Sequence, residues 1–255
     1  TEIRKRMQLA FESAEHEADD DARRAALTFA IIGAGPTGVE LAGAIKSIAS
    51  QTLPREYRNI DTRTARVILF EGGPRVLPGF PEALSARAAA DLARLGIDMR
   101  LNSRVTDLTE DGVGIGSEFV PAQNVFWAAG VKASPILGSL NVETDRAGRV
   151  IVNQDLSVPG HQDIFVIGDA ASFTPEGHDQ SLPGVAQVAM QMGRYAANVI
   201  CEEIANGTSP ARKRPFRYRD KGSMASICKN KAVAVVGPHR CSGFVAWLLW
   251  AVVHI

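Results

Sequence analysis

The feature that most constrains this chain is the stretch TFAIIGAGPTGVELA at residues 28–42. An apolar, β-branched run ends at the first glycine, and GAGPTG at residues 33–38 has the GxGxxG spacing. In a strand–turn–helix unit, the first glycine permits a sharp turn, the second lets the backbone approach a diphosphate, and the third lets the helix pack on the strand. The helix N-terminus presents N–H groups to the phosphates. The residues that we assign to a dinucleotide diphosphate are Gly33, Gly35, Pro36, Thr37 and Gly38.

Glu71 is the acid expected to select the dinucleotide. It closes the second predicted strand, where a carboxylate accepts hydrogen bonds from a ribose diol. It lies 33 residues after Gly38, farther than the usual spacing of about 20. The polar stretch 51–64 accounts for the excess as an insertion after the first helix. Because no arginine immediately follows Glu71, NADH is favoured over NADPH, although Arg75 keeps NADPH open as an alternative.

Glu40 has two interpretations. As an acid in the first turn of the helix, it would complement the positive end of the helix dipole. A carboxylate close to a bound diphosphate is electrostatically unfavourable, however, so its role would lie beyond the phosphates. Glu40 is therefore a candidate catalytic residue at the nicotinamide end of the site.

The hydrophobic pattern predicts an α/β fold built on a doubly wound parallel sheet. Strands are expected at 28–32, 65–70 and 124–129, with helices from about 37 to 50 and from 81 to a C′ residue at Gly96. Short strands at 97–101 and 104–108, with a hairpin at Asp111-Gly112, are interpreted as an antiparallel crossover meander. A strand at 164–167 and a helix from 184 to 204 follow. The N-terminal helical run is expected to end in a solvated turn at the acidic cluster 15–21.

Composition excludes several classes of protein. The formal net charge is zero, so no nucleic-acid partner is expected. Five histidines are scattered without ligand spacing, and three cysteines lack CxxC spacing. We therefore expect neither a metal site nor a disulfide framework.

Four motifs in order resemble the type II NADH:quinone oxidoreductases, which are FAD-dependent members of the pyridine nucleotide-disulfide oxidoreductase superfamily. They are GAGPTGVELAG at 33–43, FWAAG at 126–130, DIFVIGDAA at 163–171 and PGVAQVAMQ at 183–191. The third motif alone would indicate only the superfamily, whereas the AQxAxQ helix start is typical of the quinone-reducing branch. The resemblance implies hydride transfer from NADH to FAD, followed by two-electron reduction of a quinone such as ubiquinone or menaquinone.

The resemblance also implies roles for residues after the nucleotide motif. Asp169 resembles the carboxylate that binds the ribityl chain of FAD, and Gly168 lets the backbone come close. Gln187 and Gln191 share a helix face that lines the quinone site in the family, and they are candidate catalytic residues; two surface glutamines on a polar face are the alternative. Gly130 and Ala186 are further cofactor-binding candidates, and Gln187 is a candidate for cofactor binding as well as for catalysis.

With the family in view, the chain divides into four expected segments. Residues 1–26 are a helical linker from the FAD domain, 27–132 the NADH-binding domain, and 133–210 the C-terminal part of the FAD domain. Residues 211–255 form a basic, β-rich and then apolar segment. From Pro210 to Arg240, nine Lys or Arg stand against one acid. No second GxGxxG is present, so we expect a fragment that does not hold FAD tightly by itself.

The apolar stretch GFVAWLLWAVVHI at 243–255 is shorter than the roughly 20 residues of a spanning helix. Two tryptophans beside a basic region favour a membrane-surface segment, which implies peripheral attachment to the cytoplasmic face of the cell membrane. The alternative is that residues 243–255 form a helix that packs in the protein core or at a dimer interface. The second of these would make the protein a homodimer. Two other functions stay open: a ferredoxin or disulfide-type reductase, and a non-enzymatic NAD-binding sensor.

Overall fold

The computed structural model describes residues 2–207 and 213–254, and these form two compact units. The first unit contains the described residues up to 129 and from 222 onward, and the second contains the described part of 130–221. The boundary predicted between residues 210 and 211 lies outside the described residues.

Seven strands and four α-helices occupy the described chain from residue 2 to residue 129. They are α1 (Glu2–His16), α2 (Asp20–Ala26), β1 (Thr28–Ile32), α3 (Pro36–Ser47), β2 (Arg66–Phe70), α4 (Glu82–Arg94), β3 (Asp98–Arg100), β4 (Asp107–Leu108), β5 (Gly112–Ile115), β6 (Glu118–Pro121) and β7 (Asn124–Trp127). The second unit contains β8 (Val150–Ile151), β9 (Ser157–Val158), β10 (His161–Phe165), β11 (Ala171–Ser172) and α5 (Ala186–Asn206). The first unit is completed by β12 (Ser223–Cys228), β13 (Lys231–Val236), β14 (His239–Gly243) and α6 (Phe244–His254).

A parallel four-stranded sheet of order β3-β2-β1-β7 is the centre of the first unit. The strands β1 and β2 are almost wholly buried on both faces, as expected of strands covered by a layer on each side. Phe29 and Ile31 point to the side of α1, α3 and α4, whereas Ala30 and Ile32 point to the antiparallel sheet β4-β5-β6. The predicted α/β fold with its parallel sheet is therefore confirmed, and an antiparallel meander is present as β4-β5-β6.

One strand of the predicted meander lies elsewhere. The strand expected at 97–101 is β3, and it pairs in parallel with β2 instead of joining the antiparallel sheet. The reason is its connection: α4 ends at Arg94, and Gly96 with φ +78 turns the chain back to the sheet edge, which completes a strand–helix–strand crossover.

The acidic cluster begins a helix as well as ending one. Helix α1 ends at His16, and Asp19 then caps α2 by accepting a hydrogen bond from the Ala22 N–H at 2.8 Å. Asp20 and Asp21 occupy the first turn of α2, where carboxylates complement the helix dipole. The expectation of a plain solvated turn over the whole cluster is therefore wrong.

The C-terminal strands pack into the first unit as a second sheet, of order β12-β13-β14. Ala225, Ile227 and Val233 belong to the core cluster that α1, α3 and α4 form with the parallel sheet. On the opposite face, Ala232 and Ala234 pack against Ala246 of α6. The described residues of the predicted segments 1–26 and 211–255 that lie at 2–26 and 222–254 therefore belong to one unit with the glycine motif.

Asp91 links α4 to this second sheet. Its side chain is fully buried and lies 3.1 Å from Arg87 Nε, 2.7 Å from Arg94 Nη1 and 3.4 Å from Lys231 Nζ of β13. Burial alone would raise the pKa of Asp91, but the hydrogen bond and charge of Arg87 and the charge of Lys231 together hold it below its usual value. The carboxylate is thus the counter-charge for three cations.

The second unit is built around α5 and short strands. Val188, Met192 and Ala196 are the buried residues of α5. The first two pack with Phe173 and Phe216, whose ring centroids are 5.3 Å apart. Of the strand predicted at 164–167, only residues 164 and 165 are in a strand, as the end of β10. β10 pairs antiparallel with β9, and most of its residues are exposed.

Candidate functional site

The glycine loop joins β1 to α3 as the motif requires. Gly33 has φ +102, in the region that favours glycine, and a Cβ at that position would lie 2.8 Å from the Ala128 carbonyl oxygen. At Gly38 a Cβ would lie 1.8 Å from the Gly33 carbonyl oxygen, so the helix packs against the turn at backbone contact. Around Gly35, by contrast, there is nothing within 4 Å of a Cβ. The first and third glycines are therefore needed by the fold, and the second leaves an open space.

The start of α3 has free hydrogen-bond donors. Gly35 is the N-cap residue and makes no side-chain cap, and Pro36 occupies the first turn. Within the described chain, the backbone N–H groups of Gly35, Thr37 and Gly38 have no hydrogen-bond partner, whereas Val39 N–H donates to the Gly35 carbonyl. Three unpaired donors at a helix N-terminus, beside an open space, fit an anionic group such as a diphosphate.

The carboxylate of Glu71 lies directly beside this loop. Its Oε2 accepts a hydrogen bond from the Ala34 N–H at 2.8 Å, and its Oε1 accepts one from the Gly73 N–H at 2.8 Å. Each oxygen keeps a further lone pair, so ribose hydroxyls can still donate to it. Glu71 is also a structural part of the loop, which sequence reasoning did not predict.

Arg75 does not point to this space. Its guanidinium donates to the carbonyl oxygens of Pro78 at 2.8 Å and Phe80 at 3.0 Å, which fixes it to its own loop. Arg75 was the reason to retain NADPH as an alternative, and its guanidinium is therefore bound to neutral carbonyl groups of its own loop.

A residue that the sequence did not indicate is hydrogen-bonded to the glycine loop. Leu77 is fully buried, has φ +48 and donates its N–H to the Ala34 carbonyl at 2.8 Å. A leucine in the left-handed region is unfavourable unless its surroundings hold it there. The only signal in the sequence is its position between two Pro-Gly-type turns, and this does not distinguish it from its neighbours.

Glu40 lies on α3 and is half-buried. Its Oε1 accepts a hydrogen bond from the Ser226 N–H of β12 at 2.9 Å. One oxygen of the carboxylate thus joins the helix to the C-terminal sheet. The predicted catalytic role of Glu40 remains a prediction.

In the second unit, Gly168 and Asp169 form a short turn after β10. Gly168 has φ +63, and its N–H points to Met192 Sδ at 3.3 Å. Asp169 is exposed, and no described residue donates a hydrogen bond to its carboxylate. A Cβ on Gly184 would lie 3.1 Å from Asp169 Oδ1, so the carboxylate lies against the segment that precedes α5.

The start of α5 has no side-chain cap. Val185 is the N-cap residue, and the Ala186 N–H has no partner among the residues that the structure describes. This donor and the nearby Asp169 carboxylate together offer one hydrogen-bond donor and one acceptor to a polar ligand. Gly130, another predicted cofactor residue of this unit, has φ +89 and no atom within 4 Å of a Cβ.

The two glutamines of α5 differ in their contacts. Gln187 is half-buried in the first turn. Gln191 donates from Nε2 to the Arg219 carbonyl at 2.9 Å and accepts from the Arg219 N–H at 3.0 Å. Both ends of the Gln191 amide therefore hold the backbone of residue 219, and the predicted contact of Gln191 with a quinone remains a prediction.

Helix α6 exposes an apolar face. Six of its side chains are exposed while Ala246 is buried; the six are Phe244, Val245, Leu248, Leu249, Val252 and Val253. Their spacing places them on one half of the helix circumference. Among the described residues, none of the helices has the length and hydropathy needed to span a membrane.

Comparison with known proteins extends these observations. The model of the pyridine nucleotide-disulphide oxidoreductase family matches residues 5–193. The type II NADH:quinone oxidoreductase Ndh of Mycobacterium tuberculosis is 44% identical over the whole chain, which covers 55% of that protein. The type II enzyme of Staphylococcus haemolyticus is 32% identical over 82% of the chain, corresponding to 52% of its own length. The chain thus spans about half the length of these relatives.

Among solved structures, NDH2 from Plasmodium falciparum in complex with NADH superposes with a TM-score of 0.85. At 19% identity this match covers 99% of the chain and 66% of the other protein, and it supports the fold alone. The resemblance inferred from the four motifs is confirmed by the curated relatives.

Proposed function

Because the chain belongs to the pyridine nucleotide-disulphide oxidoreductase family, we propose that it forms part of a flavoprotein that oxidises NADH with FAD and reduces a membrane quinone. The observation that carries this proposal is the glycine loop with its three unpaired N–H groups, in a chain similar over its whole length to type II NADH:quinone oxidoreductases. In this proposal the first unit binds NADH and the second unit is part of the FAD domain.

The first unit orients NADH from its adenosine end. The N–H groups of Gly35, Thr37 and Gly38 donate to the diphosphate, and Pro36 holds the helix start in place. Glu71 accepts from the adenosine ribose while its other contacts fix the loop. A 2′-phosphate would meet this carboxylate without help from Arg75, so NADH is preferred over NADPH.

The second unit contributes contacts to FAD. Asp169 accepts from the ribityl chain, Gly168 permits close approach, and the Ala186 N–H with the α5 dipole stabilises negative charge on the ring. Bound FAD supplies the hydride acceptor and the two-electron carrier. We propose Gly130 and Gln187 as further cofactor contacts, and Glu40, Gln187 and Gln191 as catalytic candidates at the nicotinamide and quinone ends.

The visible spectrum of the full-length gene product tests this function. We expect absorption near ~450 nm that NADH bleaches without oxygen and that a soluble quinone analogue restores. To bleach the flavin to the same extent, NADPH should need a concentration at least roughly tenfold higher than NADH. One unfavourable contact between the 2′-phosphate and the Glu71 carboxylate costs about 1.4 kcal/mol or more. The 255-residue chain alone should retain little flavin after gel filtration.

Other results would favour the alternatives. A colourless full-length protein would contradict the enzyme and favour an NAD-binding sensor. Restoration of the flavin by ferredoxin or a dithiol substrate but not by a quinone would instead indicate another reductase of the superfamily.

We also propose that α6 attaches the protein to the surface of a membrane containing anionic lipids, on its cytoplasmic face. The exposed apolar half of α6 can enter the boundary between headgroups and acyl chains, and the basic residues that precede it would favour anionic lipid. A homodimer that covers the same face is the competing arrangement.

Vesicle co-sedimentation distinguishes the two arrangements. We expect L248S combined with V252S to lower partitioning onto phosphatidylglycerol-containing vesicles at least about tenfold, because two exposed apolar side chains are lost. The control I136S with I204S removes two exposed apolar side chains of the second unit and should change partitioning little. Equal loss in both variants, or a wild-type dimer that does not bind vesicles, would contradict membrane attachment.

A further inference from the structure

A cavity of about 480 Å³ opens at the amino ends of the parallel strands. Leu27 and Ala65, which precede β1 and β2, line it together with Gly96, which precedes β3. The glycine loop lies at the opposite, carboxyl ends of these strands. With five residues per strand and a rise of about 3.3 Å per residue, the two ends are roughly 16 Å apart. The cavity is therefore not part of the dinucleotide site.

The charged side chains of this basic cavity are mostly cations. Arg23, Arg24, Lys46 and Arg66 line it, and Asp20 is the single acid among the lining residues. They come from α2, the last turn of α3 and the start of β2, so the fold brings together cations that are distant in sequence. Such a concentration of like charge in a concave surface attracts anions.

Carboxylates in and around the cavity neutralise these cations only in part. Arg24 lies 3.8 Å from Asp21, and the two side chains are 76% and 92% exposed. Arg66 lies 2.9 Å from Asp98 in a half-exposed pair. Arg23 is bound to Asp20 at 2.7 Å and also donates to the Glu17 carbonyl. The exposed pairs of Arg24 and Arg66 contribute little and can exchange for an incoming anion, whereas Arg23 is held more firmly.

Lys46 is the cation with the strongest need for a counter-charge. Its Nζ donates to the carbonyl oxygens of Ala65 at 2.7 Å and Arg63 at 3.2 Å, and no described carboxylate forms an ion pair with it. Burial lowers the pKa of Lys46, because the ammonium is partly removed from water without a compensating negative charge. A bound anion would supply that charge.

We propose that the basic cavity is a second binding site, which takes a small molecule carrying two or more phosphate groups. The volume is within the range of about 300–1,000 Å³ that is usual for small-molecule sites and exceeds what one phosphate needs. Guanidinium groups bind phosphate oxygens in pairs, and Lys46 adds a compact charge on another wall. This site is independent of the proposed oxidoreductase function.

Amide chemical shifts of the 255-residue chain locate the site directly. Inorganic pyrophosphate is titrated at low ionic strength, because screening weakens exposed charges. We expect saturable shifts at Lys46, Thr64 and Gly96, with a dissociation constant distinct from that of any shifts at Gly35 and Thr37. Shifts confined to the glycine loop, or none at all, would overturn the proposal. Citrate is the second probe: equal affinity for citrate would contradict the assignment to phosphate groups.

Paired variants test the role of the arginines. R24Q combined with R66Q should weaken pyrophosphate binding at the cavity at least about tenfold, because two charge-assisted contacts are lost. The control R104Q with R146Q removes the same charge from two exposed arginines outside the cavity and should stay within about twofold of wild type. Equal weakening in both variants would mean non-specific attraction, and unchanged binding in the first would show that the cavity is not the site.

Discussion

Replacement of Gly38 by alanine is expected to destabilise the first unit by about 3 kcal/mol and to weaken NADH binding roughly a hundredfold. The new Cβ would lie 1.8 Å from the Gly33 carbonyl oxygen, which is backbone and cannot rotate away. Helix α3 must therefore move off the turn. Its N–H groups then no longer converge on the space that the diphosphate would occupy.

G35A is the matched control, since it adds the same methyl group at the second glycine of the motif instead of the third. Nothing lies within 4 Å of its Cβ, and φ is −70°, so the free protein should keep its stability within roughly 0.5 kcal/mol. Its NADH affinity should nevertheless fall, because the methyl group fills the approach to the phosphates. Urea unfolding and fluorescence titration with NADH measure both effects. Wild-type NADH affinity in G35A would contradict a diphosphate site at this loop.

Replacement of Asp91 by asparagine is expected to cost about 2 kcal/mol of unfolding free energy at pH 7. The substitution keeps the shape of the fully buried side chain but removes the charge that Arg87, Arg94 and Lys231 share, and these three cations are 47%, 60% and 33% exposed, so water compensates part of the loss. Since Lys231 belongs to β13, the loss should loosen the contact between α4 and the C-terminal sheet. Urea unfolding followed by tryptophan fluorescence measures the change. D61N, which removes an exposed acid paired with Arg63, is the control and should be close to wild type.

The loss of unfolding free energy in D91N should become smaller as the pH falls. The pKa of Asp91 is lower in the folded protein than in the unfolded chain, where an aspartate titrates near about 3.9. Its stabilisation is therefore complete above roughly pH 5 and is lost as the pH falls through the folded pKa. The stability difference between wild type and D91N should narrow below about pH 4. A difference that is constant from pH 7 to pH 3 would mean that the charge of Asp91 is not its source.

Sequence patterns were sufficient for the parallel sheet and the glycine turn. The run from Thr28 to Gly38 combines a buried strand, a left-handed glycine and a helix start, and each step depends only on nearby residues. Gly96 likewise marks the end of α4 because a positive φ after a helix favours glycine. Local rules of this kind do not require knowledge of the rest of the chain.

Contacts between distant segments could not be predicted in the same way. Glu71 bound to the Ala34 N–H, Glu40 bound to the Ser226 N–H and Gln191 bound to the Arg219 backbone all join segments that only the complete fold brings together. A single sequence contains no periodicity that pairs such positions. For this reason the sequence indicated candidate site residues only by their nearness to the motifs, and it did not indicate which groups their side chains contact in the fold.

The contact between Gly43 and Ile227 has a consequence for synthesis of the chain. A Cβ on Gly43 would lie 1.6 Å from the Ile227 carbonyl oxygen, so α3 and β12 meet at backbone distance across more than two-thirds of the sequence. While the ribosome is still translating the second unit, the outer side of α3 has no strand to cover it. The first unit can therefore complete its core only after β12 and β13 emerge, and during this interval a chaperone would find its apolar helix surface accessible.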